Sequence, residues 1–429
     1  MEERESLTKF TSDFHRMVRL LLFIGLAFFY LEFMIPVLAD VVFMIPATKL
    51  GLIFSMQTVG YMASSPIAGF VSDRVSKKKL ILVGSVGRGF AYIVLYIAVF
   101  LGSYPLFVVG TFTIGFMVSF FWVPFNSLIG SKSHKDHRSN AYGQRDYWLG
   151  ISIMVGSSIG LTYSSYIGDI YPDFPLLIFL PLVIFGIANI TGGLLFHKFI
   201  DENLVITIPE SEFQNSKDKK STAFWVTFGI GFLFFVLLLS STNGSISKPF
   251  IIKYLLEVFD VDTMKAALAW VPAGILNLIL APRLGKLVDK MQPKITILIT
   301  ASLGAFLTWA LIYLGSQNIV IFAIILVFDM AIATTGGLII QNYLSRISKK
   351  HRGKIFGLSS FFSNAGAVIG PILGGLAWEL IGRKYPFIIS IIVELSLIPL
   401  YWFSVVLTQS SLEEKYSLDS IVPTADPQS

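Results

Sequence analysis

The chain has 429 residues, of which 54% are hydrophobic and only 14% charged, with a mean hydropathy of +0.72. A soluble domain of this length cannot bury that much apolar surface, so a lipid-embedded protein is expected. The absence of cysteine excludes disulfides, thiolate catalysis and cysteine-ligated metal, and the net charge of +6 carries no implication of nucleic-acid binding.

A hydrocarbon layer about 30 Å thick takes roughly 20 apolar residues per helix. After a polar, acidic stretch from Met1 to Arg19 with no cleavable signal pattern, six runs meet this length: Leu20 to Leu38, Leu50 to Val71, Leu80 to Leu101, Leu106 to Ile129, Tyr142 to Ile167 and Leu176 to Phe196. A polar break follows. The second six are Phe224 to Ser241, Ala266 to Leu287, Ile295 to Gly315, Ile319 to Leu344, Phe356 to Leu380 and Phe387 to Leu407. All are read as helices, because an isolated strand cannot satisfy its backbone in lipid. The expected fold class is therefore all-α integral membrane, with twelve transmembrane helices in two pseudo-symmetric six-helix bundles. The first bundle is residues 1–200, the linker 201–221, the second bundle 222–408 and the tail 409–429.

Most Lys and Arg residues fall on the side that holds the amino terminus, which puts both termini in the cytoplasm of a multi-pass plasma-membrane protein. Basic clusters such as Lys77 to Lys79 and Lys349 to Arg352 would meet anionic membrane lipid there. A monomer is expected.

The chain repeats itself. Gly69-Phe70-Val71-Ser72-Asp73-Arg74 closes the second run, and Gly285-Lys286-Leu287-Val288-Asp289-Lys290 closes the eighth, 216 positions later. In the fifth run Gly143, Gly156 and Gly160 stand 214 positions before Gly357, Gly370 and Gly374 of the eleventh, with Arg138 and Arg352 at the same offset. Matched spacing of this kind marks an internal duplication. Duplicated membrane bundles can rock against each other around a midplane site. Small residues four apart let helices approach closely, so the fifth and eleventh helices are expected to pack against a partner across the interface between halves.

Gly69, Asp73, Arg74, Ser76, Lys77 and Lys78 together resemble motif A of the major facilitator superfamily. Gly357, Gly366, Gly370, Pro371, Gly374 and Gly375 resemble its motif C. The similarity spans nearly all twelve runs. It implies a secondary transporter, similar to multidrug-efflux members, whose first, fourth, seventh and tenth helices line a central cavity while the third, sixth, ninth and twelfth lie outside. Ser76 stands where the family usually has its second motif A glycine. Ser157 follows Gly156 where motif C of antiporters carries proline, and Thr111 stands four residues before Gly115 where some members carry an arginine linked to proton transfer. The antiporter subtype therefore stays open.

Motif A has an electrostatic rationale. A carboxylate at the end of the second helix can sit against the positive amino-terminal end of the eleventh, near Lys354, a contact worth roughly 0.3 to 2 kcal/mol. Asp289 with Lys290 would repeat this latch against the fifth helix, and Arg74, Lys77 and Lys78 would tether the loop to lipid headgroups or acidic groups.

Ionisable groups inside a membrane cost about 2.5 to 3.5 kcal/mol each, so they are functional candidates. Glu32, Arg88, Asp329 and Glu394 stand within the first, third, tenth and twelfth runs. The family's cavity assignment favours Glu32 and Asp329 as carriers of a coupling proton. The alternative for Glu32 is a structural pair with Arg88, and Glu394 reads as structural. Arg88 could instead bind an anionic substrate. Asn126, Gln341, Asn342 and Asn364 could hydrogen-bond a small-molecule substrate or join helices. Phe29, Tyr30, Phe33, Phe120, Phe121 and Trp122 could form an apolar cavity wall. His134 and His137 flank Asp136, yet a basic loop explains them better than metal. No metal site and no cofactor are expected, and no phosphate-binding glycine loop points to ATP.

The leading expectation is a secondary active transporter that moves a small organic, amphipathic solute by alternating access coupled to protons, in the manner of an efflux antiporter. The alternatives are uptake of an anionic or polar metabolite, an intramembrane enzyme, and a sensor on a transporter scaffold.

Overall fold

The structure is a computed structural model in which residues 9–44, 47–206, 220–259, 263–409 and Leu412 are described. The first pass is broken into α1 (Phe14–Arg19), α2 (Leu21–Ile24) and α3 (Ala27–Val41). Then come α4 (Ala47–Ser72), α5 (Lys77–Phe100), α6 (Tyr104–Lys132) and α7 (Arg138–Ile170), with α8 (Pro175–Ile178) and α9 (Pro181–Phe199) completing the sixth pass. The second half repeats the layout with α10 (Lys220–Val258), α11 (Thr263–Val288), α12 (Pro293–Tyr313), α13 (Ile319–Ile347), α14 (Arg352–Leu380) and α15 (Tyr385–Gln409). Twelve helical passes in two halves result, and among the described residues nine helices are long and apolar enough to cross a membrane. The only β pairing among the described residues is an isolated bridge between Phe10 and Ser133.

The proposed linker lies outside the described residues except for 201–206 and 220–221, and α10 already begins at Lys220. The proposed tail lies outside them apart from Gln409 and Leu412. Short connections close the hairpins. Between α5 and α6, Gly102 has φ +58 with no atom near where a Cβ would stand, so glycine is needed there for its backbone conformation alone.

The apolar core is distributed unevenly between the two ends. One buried cluster runs through both halves, joining Phe14, Leu128 and Tyr142 to Leu338, Tyr343 and Phe356. A second cluster is confined to the first half, around Tyr30, Leu95, Phe107 and Phe185. A third is confined to the second half, around Tyr254, Leu311, Phe322 and Phe387. The halves therefore share a core at the end that carries Asp73 and Asp289, here called the basic end. At the other end each keeps its own.

The fifth and eleventh helices meet partners across the interface as expected, through Gly143 and Gly357, whereas Gly156, Gly160, Gly366, Gly370 and Gly374 pack within their own halves. Built Cβ atoms at Gly156 and Gly160 would strike Leu26 and Tyr30 of the first pass, and those at Gly366, Gly370 and Gly374 would strike α10. Gly375 has only the Phe250 ring nearby, at 3.9 Å, and makes no close approach, while Pro371 lies inside α14. The glycines that let backbones cross between halves are Gly69 and Gly357 on one side, Gly143 and Gly285 on the other. Built Cβ atoms at Gly69 and Gly143 would lie 2.7 Å from the Gly353 carbonyl and 2.5 Å from the Ala281 carbonyl.

At the basic end Lys132, fully buried, fastens three segments. Its Nζ donates to Asp13 at 2.7 and 2.9 Å and to the carbonyls of Asp201 and Leu204 at 2.6 and 3.0 Å. The Thr11 N–H adds a bond to the Lys132 carbonyl at 3.0 Å. Removing one partner of a buried ion pair strands the other, at about 3 to 5 kcal/mol. Lys132→Ala is thus expected to lower the melting temperature by several degrees and to free residues 9–13 to proteolysis, both read on purified protein.

Candidate functional site

Two mirrored contacts tie the halves together at the basic end. Asp73, just beyond α4, accepts hydrogen bonds from the Gly353 and Lys354 backbone N–H groups at 2.8 and 3.1 Å. These are first-turn donors of α14, whose own N-cap residue, His351, supplies no side-chain cap. The aspartate caps a helix of the opposite half. Two hundred and sixteen positions later, Asp289 accepts from the Ser139 and Asn140 N–H groups of α7 at 2.8 and 2.9 Å. Again the native N-cap residue, His137, supplies no side-chain cap. Burial raises the Asp289 carboxyl above its ordinary value, to about 6, against the opposing pull of the Asn140 and Ser139 backbone donors. Negative charge at a helix amino terminus is favourable, and these are charge-assisted bonds.

Buried arginines reinforce both contacts reciprocally. Arg138 of α7 donates to Ser345 Oγ of α13, and Arg352 of α14 donates to Ser131 Oγ of α6, each at 3.3 Å. Arg346 of α13 also donates to the Lys135 carbonyl. Asn342, expected at cavity depth, belongs to this network instead. Its Nδ2 donates to Ser139 Oγ at 2.6 Å and Asp289 at 3.1 Å, and its Oδ1 accepts from Arg346 at 2.7 Å. Next to the motif A loop the Lys78 backbone N–H donates to the Glu202 carboxylate at 3.1 Å. Ser76, in place of glycine, accepts from the Lys79 N–H and caps α5. Lys354 Nζ lies 5.4 Å from the Phe70 ring centre, a further contact across the interface. Arg74 and Lys77 are half-buried or exposed beside the latch, and Lys290 is exposed.

Above the latches a cavity of about 400 Å³ opens among helices of the first half and α14, within the range of small-molecule sites. Phe28, Tyr61 and Trp122 give it an aromatic wall, and Asn126, Arg145, Asp146 and Asn364 give it polar groups. Arg145 is 7% exposed and bridges two of them, donating to Asn126 Oδ1 at 2.7 Å and to Asp146 Oδ1 at 2.6 and 2.9 Å. Arg145 and Asp146 were not singled out in the sequence, although they fall inside the fifth run. Three or four residues from a run's end, charges look interfacial, and the inward turn of the helix is what gives them a cavity.

The remaining candidates scatter. Asn126 and Asn364 line this cavity, and Asn364 also donates to the Ser360 carbonyl at 2.6 Å. Gln341 does not line it, and its Oε1 is buried without a hydrogen-bond partner. Among the described residues of the expected aromatic wall, only Trp122 lines the cavity. Tyr30 and Phe121 are buried in helix packing, Phe29 is 38% exposed, and the Phe33 side chain lies outside the described residues. Phe28, not singled out, takes their place.

Glu32 is exposed one helical turn beyond Phe28, and Arg88 is fully buried. Arg88 Nη2 donates to the Ile24 carbonyl at 3.3 Å, at the break in the first pass, and its guanidinium carbon sits 4.6 Å from the Phe28 ring centre. The alternative Glu32–Arg88 pair does not form, because eight residues separate Ile24 from Glu32, a helical rise of about 12 Å. In the second half, Asp329 and Glu394 line one cavity of about 440 Å³. Glu394 is therefore not confined to the outer packing role expected of the twelfth pass.

Two pseudo-symmetric helical bundles, tied at one end and separately cored at the other around small-molecule cavities, define a membrane transporter of the alternating-access class. Residues 20–346 match the Major Facilitator Superfamily, and the chain belongs to that family of secondary transporters, which are not enzymes. Among characterised relatives, it is 26% identical to multidrug resistance protein MdtG of Escherichia coli O17:K52:H18, over 79% of this chain and 80% of that protein. It is 22% identical to the class H tetracycline resistance protein of Pasteurella multocida, over 76% of this chain and 78% of that one. The fold matches the fucose:proton symporter FucP in the outward conformation, with TM-score 0.66, 15% identity and coverage of 91% of this chain and 98% of that one. It also matches the proton:xylose symporter XylE, with TM-score 0.69, 15% identity and coverage of 91% and 94%.

Proposed function

We propose that this transporter exports a small, amphipathic organic solute across the plasma membrane in exchange for protons, with both termini and the basic end in the cytoplasm. The observation that carries this reading is the pair of mirrored aspartate contacts, which hold the basic end shut while the cores of the two halves stay separate at the other end. That arrangement is an outward-facing state, consistent with its match to an outward-conformation structure. Asp73 and Asp289 act as latches that break when the basic end opens.

The aromatic and amide-lined cavity beside Arg145 receives the solute, and Glu32 and Asp329 carry the coupling protons. The similarity to a multidrug resistance protein and a tetracycline resistance protein supports export of drug-like molecules. Positively charged segments at the basic end fit the cytoplasmic face of the bilayer, and lipid headgroups would contact them there.

Because the chain contains no cysteine, a disulfide can be introduced without background. His351 Nδ1 lies 4.0 Å from Asp73, next to Arg74. Oxidised Arg74→Cys/His351→Cys protein in liposomes is expected to lose solute flux, and reductant is expected to restore it. Flux that persists while the disulfide is intact removes the alternating-access reading.

A further inference from the structure

The cavity beside Arg145 carries both signs of charge on adjacent residues of α7. Neighbours in sequence project about 100° apart around a helix, so the two meet only because the arginine folds sideways onto the aspartate. The contact is lopsided. Arg145 Nε and Nη2 both donate to Asp146 Oδ1, at 2.9 and 2.6 Å, while Nη1 donates to Asn126 Oδ1 at 2.7 Å. Asp146 Oδ2 accepts no hydrogen bond from the described residues, and the side chain is 30% exposed where it lines the cavity. A guanidinium has five N–H donors. Three are engaged, which leaves one on each Nη. The ion pair thus keeps an unfilled acceptor and two unfilled donors on a single contact.

The surroundings of the pair narrow the ligand. Arg145 is 7% exposed, so water screens its charge weakly. A lone ammonium placed at Asp146 Oδ2 is repelled by the guanidinium beside it, and a lone carboxylate placed at the free Nη groups is repelled by Asp146. A solute that carries both charges close together meets an attraction at each end instead. Phe28 and Trp122, stacked with ring centres 6.5 Å apart, give an apolar wall for the rest of such a molecule. From the opposite half, Asn364 donates through Nδ2 to the Ser360 carbonyl, which turns its Oδ1 into an acceptor for the solute's donors. Arg88 rests against the Phe28 ring, 4.6 Å from its centre, outside the lining residues.

We infer that this cavity selects a zwitterion, an aromatic solute with an ammonium and a carboxylate on one carbon. The free Nη N–H groups of Arg145 hold the carboxylate, and Asp146 Oδ2 holds the ammonium. Both are charge-assisted hydrogen bonds in a site with little water. The inference rests on the reading that the cavity beside Arg145 receives the solute, and it adds the charge pattern of that solute. The same contacts make Arg145 and Asp146 specificity-determining residues, because a body of equal shape with one charge or none forfeits at least one of them.

Calorimetric titration of the purified full chain at neutral pH tests this with four indoles of similar shape: tryptophan, tryptamine, indole-3-propionate and 3-ethylindole. They are respectively zwitterionic, cationic, anionic and neutral. Tryptophan is expected to bind at least about tenfold more tightly than each of the others, a difference of about 1.4 kcal/mol. Asp146→Asn, checked for an unchanged melting profile, is expected to weaken tryptophan by at least about tenfold while indole-3-propionate binds at least as well as before, since its repulsive neighbour is gone. If that variant misfolds, Arg145→Ala with Asp146→Asn serves, and it should bind tryptophan no better than 3-ethylindole. Tryptamine or indole-3-propionate binding as tightly as tryptophan, no measurable tryptophan binding, or unchanged tryptophan affinity in the folded variants would each overturn the inference. Should 3-ethylindole bind, lose its binding through Trp122→Ala and match tryptophan in affinity, the cavity still receives solute and only the zwitterion preference falls.

Discussion

Gly285→Val is expected to reduce solute flux by at least about 100-fold while leaving each half folded. The residue sits in the last turn of α11 where a built Cβ would lie 2.7 Å from Asn140 Cα, with the Ser139 carbonyl closer still. Those atoms are backbone and cannot swing aside. α7 and α11 must therefore separate, and the Asp289 contacts to Ser139 and Asn140 are lost with them. Hydrogen bonds to charged groups are worth about 1.5 to 3 kcal/mol each, so losing two removes about 3 to 6 kcal/mol from the closed basic end. A shift of that size changes a two-state population by 100-fold or more.

Spin-label distances across the basic end should lengthen and become the dominant population. Gly375→Ala is the matched control, because its neighbour is a ring carbon at 3.9 Å. Its flux should equal that of the parent. A Gly285→Val protein with native distances would show that the crossing tolerates bulk and that the latch does not set the state.

The fold was legible because lipid leaves few choices. Runs of span length, a polar break near residue 201 and matched offsets suffice to draw two helical bundles, and the family match agrees. The offsets reached further than the fold. The spacing that relates Asp73 to Asp289 is accompanied by one that relates Gly353 to Ser139 and Arg352 to Arg138, so acceptors and donors of both contacts recur together. Less legible was the direction in which a side chain faces. Gly156 and Gly160 turned toward the first pass and Gly366, Gly370 and Gly374 toward α10, while Gly357 of the same stripe faces α4, since a stripe of small residues states that a helix is near without stating which. Asn342 could have met solute or joined helices, and it holds Ser139, Asp289 and Arg346. Glu394 was assigned to packing from the general placement of the twelfth pass, whereas α15 turns it into the same cavity as Asp329. In a membrane the polar face of a helix can be cavity, neighbour or loop end, and a single sequence distinguishes these only where a repeat constrains them.

Arg145→Ala is expected to lower flux by at least about 100-fold, and a companion substitution separates function from folding. The arginine is 7% exposed and holds Asn126 and Asp146 at once, with its charge also over the Tyr142 ring at 5.3 Å. Its removal strands Asp146, but that side chain is 30% exposed, so water moderates the penalty to about 1 to 3 kcal/mol, below the full cost of breaking a buried pair. Arg145→Lys should recover little activity, because one ammonium on a flexible stem does not reproduce a planar fork that reaches two acceptors. Adding Asp146→Asn to Arg145→Ala removes the stranded charge and should restore the melting temperature. If the arginine only supports the helix, flux returns with the melting temperature. If it orders the solute cavity through Asn126 and Asp146, stability returns and flux does not, and that second result is the one expected from liposome transport measured beside thermal unfolding.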